Sequence, residues 1–355
     1  MDVDAIVLVG GQGTRLRPLT LSAPKPMLPT AGVPFLEHLL SRIKQAGISH
    51  VVLGTSYKSE VFSDYFGDGS AFGLDIEYVV EEVPLGTGGG IRNVADRLRH
   101  DTSIIFNGDV LSGLDLAALL DTHRTREADV TLHLMEVSDP RAFGCVPTDE
   151  DGWVTAFLEK TENPPTNQIN AGCYVFSRAV LEGIPADRVV SVERDTFPGL
   201  LAAGAKVAGH VDSSYWLDLG TPNAFVQGST DLVQGAAPTF ALPGPTGPHL
   251  ALPGAQVGKS VVLSGGTTLG RGTQVADRAH VVSSVVFDAA QIGVGAVVAR
   301  SIIGAGAVIG AGAIVVDSVI GDRAVIGARC ELRHGVRVWP DVVLPAAGVR
   351  FSADV

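Results

Sequence analysis

The sequence predicts two architectures in series: an α/β region built on a mostly parallel sheet, then a solenoid of short parallel strands. Three observations carry this. Apolar strands alternate with helical segments from Ala5 to Val137. The first strand runs directly into glycines at Gly10, Gly11 and Gly13. Near the C-terminal end, segments beginning at 283, 300 and 317 repeat with a period of 17 residues.

Taken in order, the first strand spans Ala5 to Val9. After the glycines, Pro34 opens a helix whose apolar positions Leu36, Leu39, Leu40 and Ile43 follow helical spacing, and Gly47 stops it. A strand (His50 to Leu53), a short helix (Glu60 to Phe66) and a strand (Ile76 to Val80) follow. A helix over roughly Gly90 to Leu98 leads to the strand Ser103 to Phe106 and the turn Asn107-Gly108-Asp109. A helix from Leu116 to His123 and a strand from Val130 to Val137 complete the alternation. Such alternation gives a parallel sheet covered by helices, with ligands beyond the carboxyl ends of its strands. The glycine loop and Asp109 both fall at such ends.

From about residue 143 the pattern changes to paired strands, Gly144 to Thr148, Val154 to Lys160 and Ala171 to Phe176, expected to wall a second subsite. The chain returns through helical segments near Arg194 to Ala202 and a strand ending in Trp216-Leu217-Asp218, and Pro222 starts a helix to about Leu232. Residues 235–254 are rich in Pro, Gly and Ala and read as a linker. The expected domains are therefore 1–234 and 255–355. In the latter, Val286, Ile292 and Val298 are six residues apart. A solenoid with three short faces per coil needs an inward aliphatic at each face and a small residue at each corner. Cys330 and Trp339 fall in the final coils, where repeats become atypical to cap the stack. The repeat resembles the hexapeptide left-handed parallel β-helix.

A length of 355 residues with 46% hydrophobic content suffices for two domains and a sizeable core. The net charge of −12 argues against a nucleic-acid or anionic-membrane partner, so an anionic substrate has to be met by a local basic cluster. Three cysteines, widely spaced and odd in number, read as reduced, buried thiols of a cytoplasmic protein. A strand begins within a few residues of Met1, so no leader peptide is expected. No run of about 18 apolar residues lacks charge or glycine, so no membrane span is expected.

The chemistry concentrates in residues 8–29, LVGGQGTRLRPLTLSAPKPMLP. Gly10, Gly11 and Gly13 let backbone N–H groups approach a phosphate closely; Thr14 follows, and Arg15 and Lys25 supply fixed positive charge. This is neither a P-loop nor a dinucleotide fingerprint, because Leu16 stands where the latter needs its third glycine. The pattern G-G-x-G-T-R-L-x-P-L-T…P-K-P resembles the signature of the sugar-1-phosphate nucleotidylyltransferases, which make NDP-sugars. Within that family it is most similar to the mannose-1-phosphate guanylyltransferases of the actinobacterial kind, and the resemblance runs through essentially the whole chain.

The resemblance implies a Rossmann-like nucleotidyltransferase domain that uses GTP and mannose 1-phosphate and releases GDP-mannose and pyrophosphate. In that reaction a sugar phosphate oxygen attacks the α-phosphorus in line. The nucleophile is already an anion, so catalysis reduces to holding two repelling anions and neutralising developing charge. The implied catalytic pair is Arg15 and Lys25. Gly10, Gly11, Gly13 and Thr14 would bind the nucleotide, together with Glu81 and the Gly86-Thr87 segment at the base. Asp109 and Asp218 would hold Mg²⁺, which suits two carboxylates with phosphate oxygens better than zinc does. Gly144, Glu159, Lys160, Asn170 and Gly172 would bind the sugar phosphate. Independently of the resemblance, coils with flat β faces and an open end lead to an expected homo-oligomer through the β-helix.

The residues themselves leave alternatives open. Asp109 also fits a plain turn residue, Asp218 a helix cap, and Glu159-Lys160 a solvated strand end. The same chemistry could use another pair, such as glucose 1-phosphate with UTP or dTTP. Glu81 argues for guanine, because a carboxylate accepts from two parallel donors, whereas uracil and thymine suit the Gln common in relatives that use them. The β-helix could belong to an acyltransferase, but nothing suggests a coenzyme A site. A catalytically dead regulatory subunit would be expected to have lost some of Arg15, Lys25, Asp109 or Asp218, and all four are present.

Overall fold

The computed structural model describes residues 2–56 and 58–351. The chain divides into two compact units, each assembled from two stretches of sequence: Met1–Gly11 with Leu40–Trp216, and Gln12–Leu39 with Leu217–Val355. This division by contact differs from the linear one expected at residue 234. Residues 12–39 group with the repeat region because three of their leucines are buried against it.

The first unit is an α/β layer structure. Its sheet runs, in spatial order, Asp75–Val80, His50–Thr55, Asp4–Leu8, Thr102–Asn107, Gln168–Ser177 and Val130–Glu136, with Val207–Asp212 beyond. All of these pair in parallel except Gln168–Ser177, which is antiparallel to both its neighbours. The apolar runs are buried on both faces, as a helix-covered sheet requires, and Ile6, Val52, Ile105, Leu132, Tyr174 and Phe176 share one core.

Most expected elements are present within three residues at each end. Three differ in extent or type. The helix expected from about Gly90 begins at Gly86 and runs to Asn93. Its early start has a physical cause: the N–H groups of Gly88 and Gly89 donate to the Val190 carbonyl, at 2.8 and 3.2 Å, so two donors that a helix start leaves orphaned are satisfied. The strand expected from Val154 to Lys160 is reduced to Leu158–Glu159 and one bridge at Val154. The stretch near Arg194 begins as a π-helical turn, Val192–Thr196, before the α-helix Phe197–Ala202.

In the second unit, the repeat forms three parallel six-stranded sheets, the arrangement of a left-handed β-helix with six coils. The first strand, His249–Ala251, lies inside the stretch expected as a linker, and pairs with Thr267–Leu269. Successive coils are offset by 17 residues in the middle and by 18 at both ends, for example His280↔Val297 against Val262↔His280. The end coils therefore escape a strict period read from the sequence. Inward aliphatics fill the axis (Val281, Val298, Val315, Leu332), and small residues fill the corners (Ala279, Ala296, Ala313, Cys330), as expected.

Each corner also contains a residue with positive φ, and several are not glycine: Arg278 at 60°, Ala289 at 57°, Arg323 at 56° and Arg329 at 57°. Each such residue costs about 1 kcal/mol. The strain is held in place by rung hydrogen bonds, since these N–H groups donate to the previous coil, as in Arg323 to Ala305 at 2.8 Å and Arg329 to Ala311 at 2.9 Å. The three cysteines are free and buried. No helix among the described residues is long and apolar enough to cross a membrane.

Candidate active site

In the second unit the signature loop is a chain of single 3₁₀ turns, Thr14–Leu16, Leu19–Leu21 and Lys25–Met27. Gly13 caps the first turn with φ 58°, and a Cβ there would meet Thr20 at 2.9 Å and Lys25 at 3.0 Å. Glycine is thus required at Gly13 by the fold itself. Gly10, in the first unit, is closed against Ser56, whose hydroxyl donates to its carbonyl at 2.6 Å. Only Gly11 of the three faces open space, with nothing within 4 Å of a built Cβ, so the backbone is open to close approach there.

Lys25 is buried, and its Nζ lies 3.7 Å from Asp218 Oδ1. That oxygen is itself buried and has no hydrogen-bond partner. An orphaned carboxylate oxygen beside a lysine is an unfilled acceptor, and it fits a cation or a ligand that brings one. Arg15 is exposed and its guanidinium lies over Gly220, where a Cβ would stand 2.6 Å from Nη2. Lys25 thus meets Asp218, and Arg15 rests on Gly220, two residues past Asp218, all on one unit. Gly220 was not singled out from sequence; its signal is the glycine two residues past a candidate metal carboxylate. Thr14 is exposed beside Arg15.

In the first unit, Asp109 is half-buried at the end of the strand Thr102–Asn107. The tight turn before it needs Gly108, whose Cβ would stand 2.6 Å from Val9 Cγ1 and 2.7 Å from the Leu8 carbonyl. The expected sugar-phosphate residues converge on one corner: Gly144 pairs with Glu159, Cys145 bridges to Ile169, and the Lys160 N–H donates to the Phe143 carbonyl at 3.3 Å. Lys160 is exposed with φ 42°; the side chain of Glu159 lies outside the described residues.

Asn170 shapes this corner. Its amide donates to the Tyr174 hydroxyl at 2.8 Å and accepts from the Gly172 N–H at 3.1 Å, spanning the register shift between Asn170 and Tyr174. Gly172, at φ 78°, packs on Asn107, 2.8 Å from Nδ2 to a built Cβ.

At the expected base site, Gly86 has φ 73° and lies against the Val190 carbonyl. The Thr87 hydroxyl donates to Glu193 Oε2 and accepts from the Val192 N–H, both at 2.9 Å, so it ties the helix start to the π-helical turn. Glu81 is half-buried; its Oε2 accepts from the Leu85 N–H at 3.2 Å, and its Oε1 lies toward Gly90. Burial pushes its carboxyl above the usual range, partly offset by that N–H. Among the described residues, no three His, Cys, Asp or Glu side chains cluster as a protein-only metal site.

A Gly220→Ala substitution is expected to displace the Arg15 guanidinium while leaving Lys25 and Asp218 in place. Turnover should fall by about tenfold to a hundredfold, the usual penalty for a misplaced catalytic group. Steady-state kinetics on the purified variant check this, and an unchanged kcat would remove Arg15 from the reaction.

The nucleotidyl transferase family model matches residues 4–235, and the GMPPB C-terminal domain model matches residues 246–354. The chain is 66% identical over 354 residues to a mannose-1-phosphate guanylyltransferase of Mycobacterium tuberculosis, covering 99% of both chains. It is 35% identical to a D-glycero-alpha-D-manno-heptose 1-phosphate guanylyltransferase of Aneurinibacillus thermoaerophilus, over 65% of this chain and 98% of that one. Among solved structures it is similar to HddC of Yersinia pseudotuberculosis complexed with GMP-PN, with a TM-score of 0.57 and 29% identity, over 64% of this chain and 99% of that one. With these matches, and with the glycine loop and basic cluster in place, the chain belongs to the nucleotidyl transferase family.

Proposed function

We propose that this protein transfers GMP from GTP to mannose 1-phosphate, giving GDP-mannose and pyrophosphate. The observation that carries this reading is the 66% identity, end to end, with a mannose-1-phosphate guanylyltransferase. The geometry supports it: Arg15 and Lys25 supply the charge that an attacking sugar phosphate and a departing pyrophosphate need, with no nucleophilic side chain required. Pyrophosphate release measured across four NTPs and several hexose 1-phosphates tests it, and a preference for any pair other than GTP with mannose 1-phosphate would overturn it.

Mg²⁺ is the proposed metal, and the orphaned oxygen of Asp218 fits it. Asp218 and Asp109 would hold the ion, which when bound neutralises phosphate charge in the transition state. The protein's own groups orient the anions: Lys25, fixed by burial, lies where charge develops, and exposed Lys160 meets the sugar phosphate. Asp109→Asn and Asp218→Asn should each lower kcat by a few orders of magnitude, as loss of one metal carboxylate does. Lys25→Ala should mainly lower kcat and Lys160→Ala mainly raise the KM for the sugar phosphate; reversed phenotypes would overturn the assignment of the two lysines.

Glu81 is the proposed guanine reader. To meet N1–H and the N2 amino group its carboxylate has to leave the Leu85 N–H or share one oxygen with it. Glu81→Gln should lower kcat/KM for GTP by about tenfold to a hundredfold and narrow the lead over UTP and dTTP. Because its carboxyl is raised, protonation on the acid side removes the acceptor at a higher pH than for an ordinary glutamate. kcat/KM for GTP should therefore fall as pH drops through that range, and the variant should lack this limb. A GTP preference unchanged in Glu81→Gln would place base recognition on backbone groups.

A second copy of the chain is the proposed partner, through the β-helix. Its end coil leaves Val343, Val349 and Phe351 exposed at 68%, 48% and 57%, an open end of the kind that oligomers cover. Light scattering on the full chain should give a multiple of the monomer mass, and a monomer at micromolar concentration would sink the idea. A truncation in the linker is not a clean test, because the signature loop rests on the β-helix.

A further inference from the structure

One sheet of the β-helix faces the signature loop. Along its outer column the register is Val285, Ile302, Val319 and Arg337, one residue per coil. The first three are buried in a cluster with Leu16, Leu19 and Leu28 of the loop and with Phe225 and Val226 of the helix Pro222–Gln234. At the fourth rung the apolar residue is replaced by arginine, and Arg337 Nη1 donates to the Arg17 carbonyl at 2.9 Å. Asp322, at a corner of the fifth coil, uses both oxygens: Oδ1 accepts from the Ala305 N–H at 2.9 Å, and Oδ2 accepts from the Ser22 hydroxyl.

These two contacts bracket the segment between the catalytic cations. Arg17 lies two residues after Arg15, and Ser22 three residues before Lys25. Within the loop the Thr20 hydroxyl donates to the Gly13 carbonyl at 3.0 Å, but its three 3₁₀ turns are one turn each and none has a side-chain cap. Single turns are marginal in isolation, so their orientation is set by what they rest on. Hydrophobic packing of the leucines fixes the depth of the loop but is not directional. The two hydrogen bonds supply the direction.

We propose that Asp322 and Arg337, in the last coils of the β-helix, are positioning residues for nucleotidyl transfer, fixing Arg15 and Lys25 through the backbone of residues 17–22. The β-helix is then part of the triphosphate site and not an appendage to it. This rests on the guanylyltransferase reading above.

The test is a double-mutant cycle between Ser22→Ala and Asp322→Ala, with Arg337→Ala and Arg337→Lys alongside, all in the full-length chain. Each Ala variant should lower kcat/KM for GTP by about tenfold, with the KM for mannose 1-phosphate unchanged. Arg337→Lys, which keeps one donor for the Arg17 carbonyl, should recover most of the loss. The Ser22→Ala and Asp322→Ala effects should not add, as for two ends of one contact.

Additive effects, unchanged kinetics, or a parallel rise of both KM values with a fall in the melting temperature would overturn the proposal. Tryptic cleavage after Arg15 gives a readout that needs no activity, and it should accelerate in Arg337→Ala. If the wild-type chain makes no GDP-mannose, the functional reading fails, and the cleavage rate still decides the anchoring: an unchanged rate overturns it.

Discussion

The signature loop depends on three leucines. Leu16, Leu19 and Leu28 are buried against Val285, Phe287, Ile302 and Val319 of the β-helix. Burying a leucine contributes roughly 2 kcal/mol as an upper bound, against about 1 kcal/mol net for a typical hydrogen bond. The apolar contact therefore decides that the loop stays down, and the polar contacts decide how it lies. With Leu16 fully buried and Arg15 exposed beside it, one 3₁₀ turn both anchors the loop and presents its cation. The same unit supplies Asp218 and Gly220, so the basic cluster is built where the repeat region can support it.

The coils of that support are closely stacked. Its coils lie so close that several glycines admit no Cβ: at Gly310 it would stand 2.5 Å from the Ala328 backbone N, and at Gly327 2.5 Å from that of Ala346. Serines stack up one corner, where the Ser318 N–H donates to the Ser301 hydroxyl and the Ser301 N–H to the Ser284 hydroxyl, at 3.1 and 3.2 Å. Strained corners, close coils and satisfied rungs over-determine one another, which is how positive φ persists at arginine.

The first unit follows a different logic, in which site residues also hold their own backbone. Asn170 closes a bulge, Thr87 ties a helix start to a π-helical turn, and Glu81 caps the Leu85 N–H. Each of these side chains already makes a hydrogen bond within the fold, so a ligand bound there would exchange one hydrogen bond for another. Such exchange favours selectivity, because a ligand that cannot return the bond leaves a half-buried group unpaired.

The sequence by itself determined the alternation that makes the parallel sheet, the glycine loop at the end of its first strand, and the 17-residue period of the central coils. Those features are local: apolar spacing and backbone conformation are written in neighbouring residues. The residues proposed for the candidate site come largely from a signature pattern and not from spacing. Tertiary structure decided which unit the signature loop belongs to, since Leu16 and Ile302 are adjacent only after folding. It decided the early helix start at Gly86, because the acceptor is the distant Val190 carbonyl. It also decided that Gly220 floors the Arg15 guanidinium and that Arg337 reaches the Arg17 carbonyl. Contacts between residues a hundred or more positions apart leave no periodic trace in a single chain, so only the folded molecule could place them.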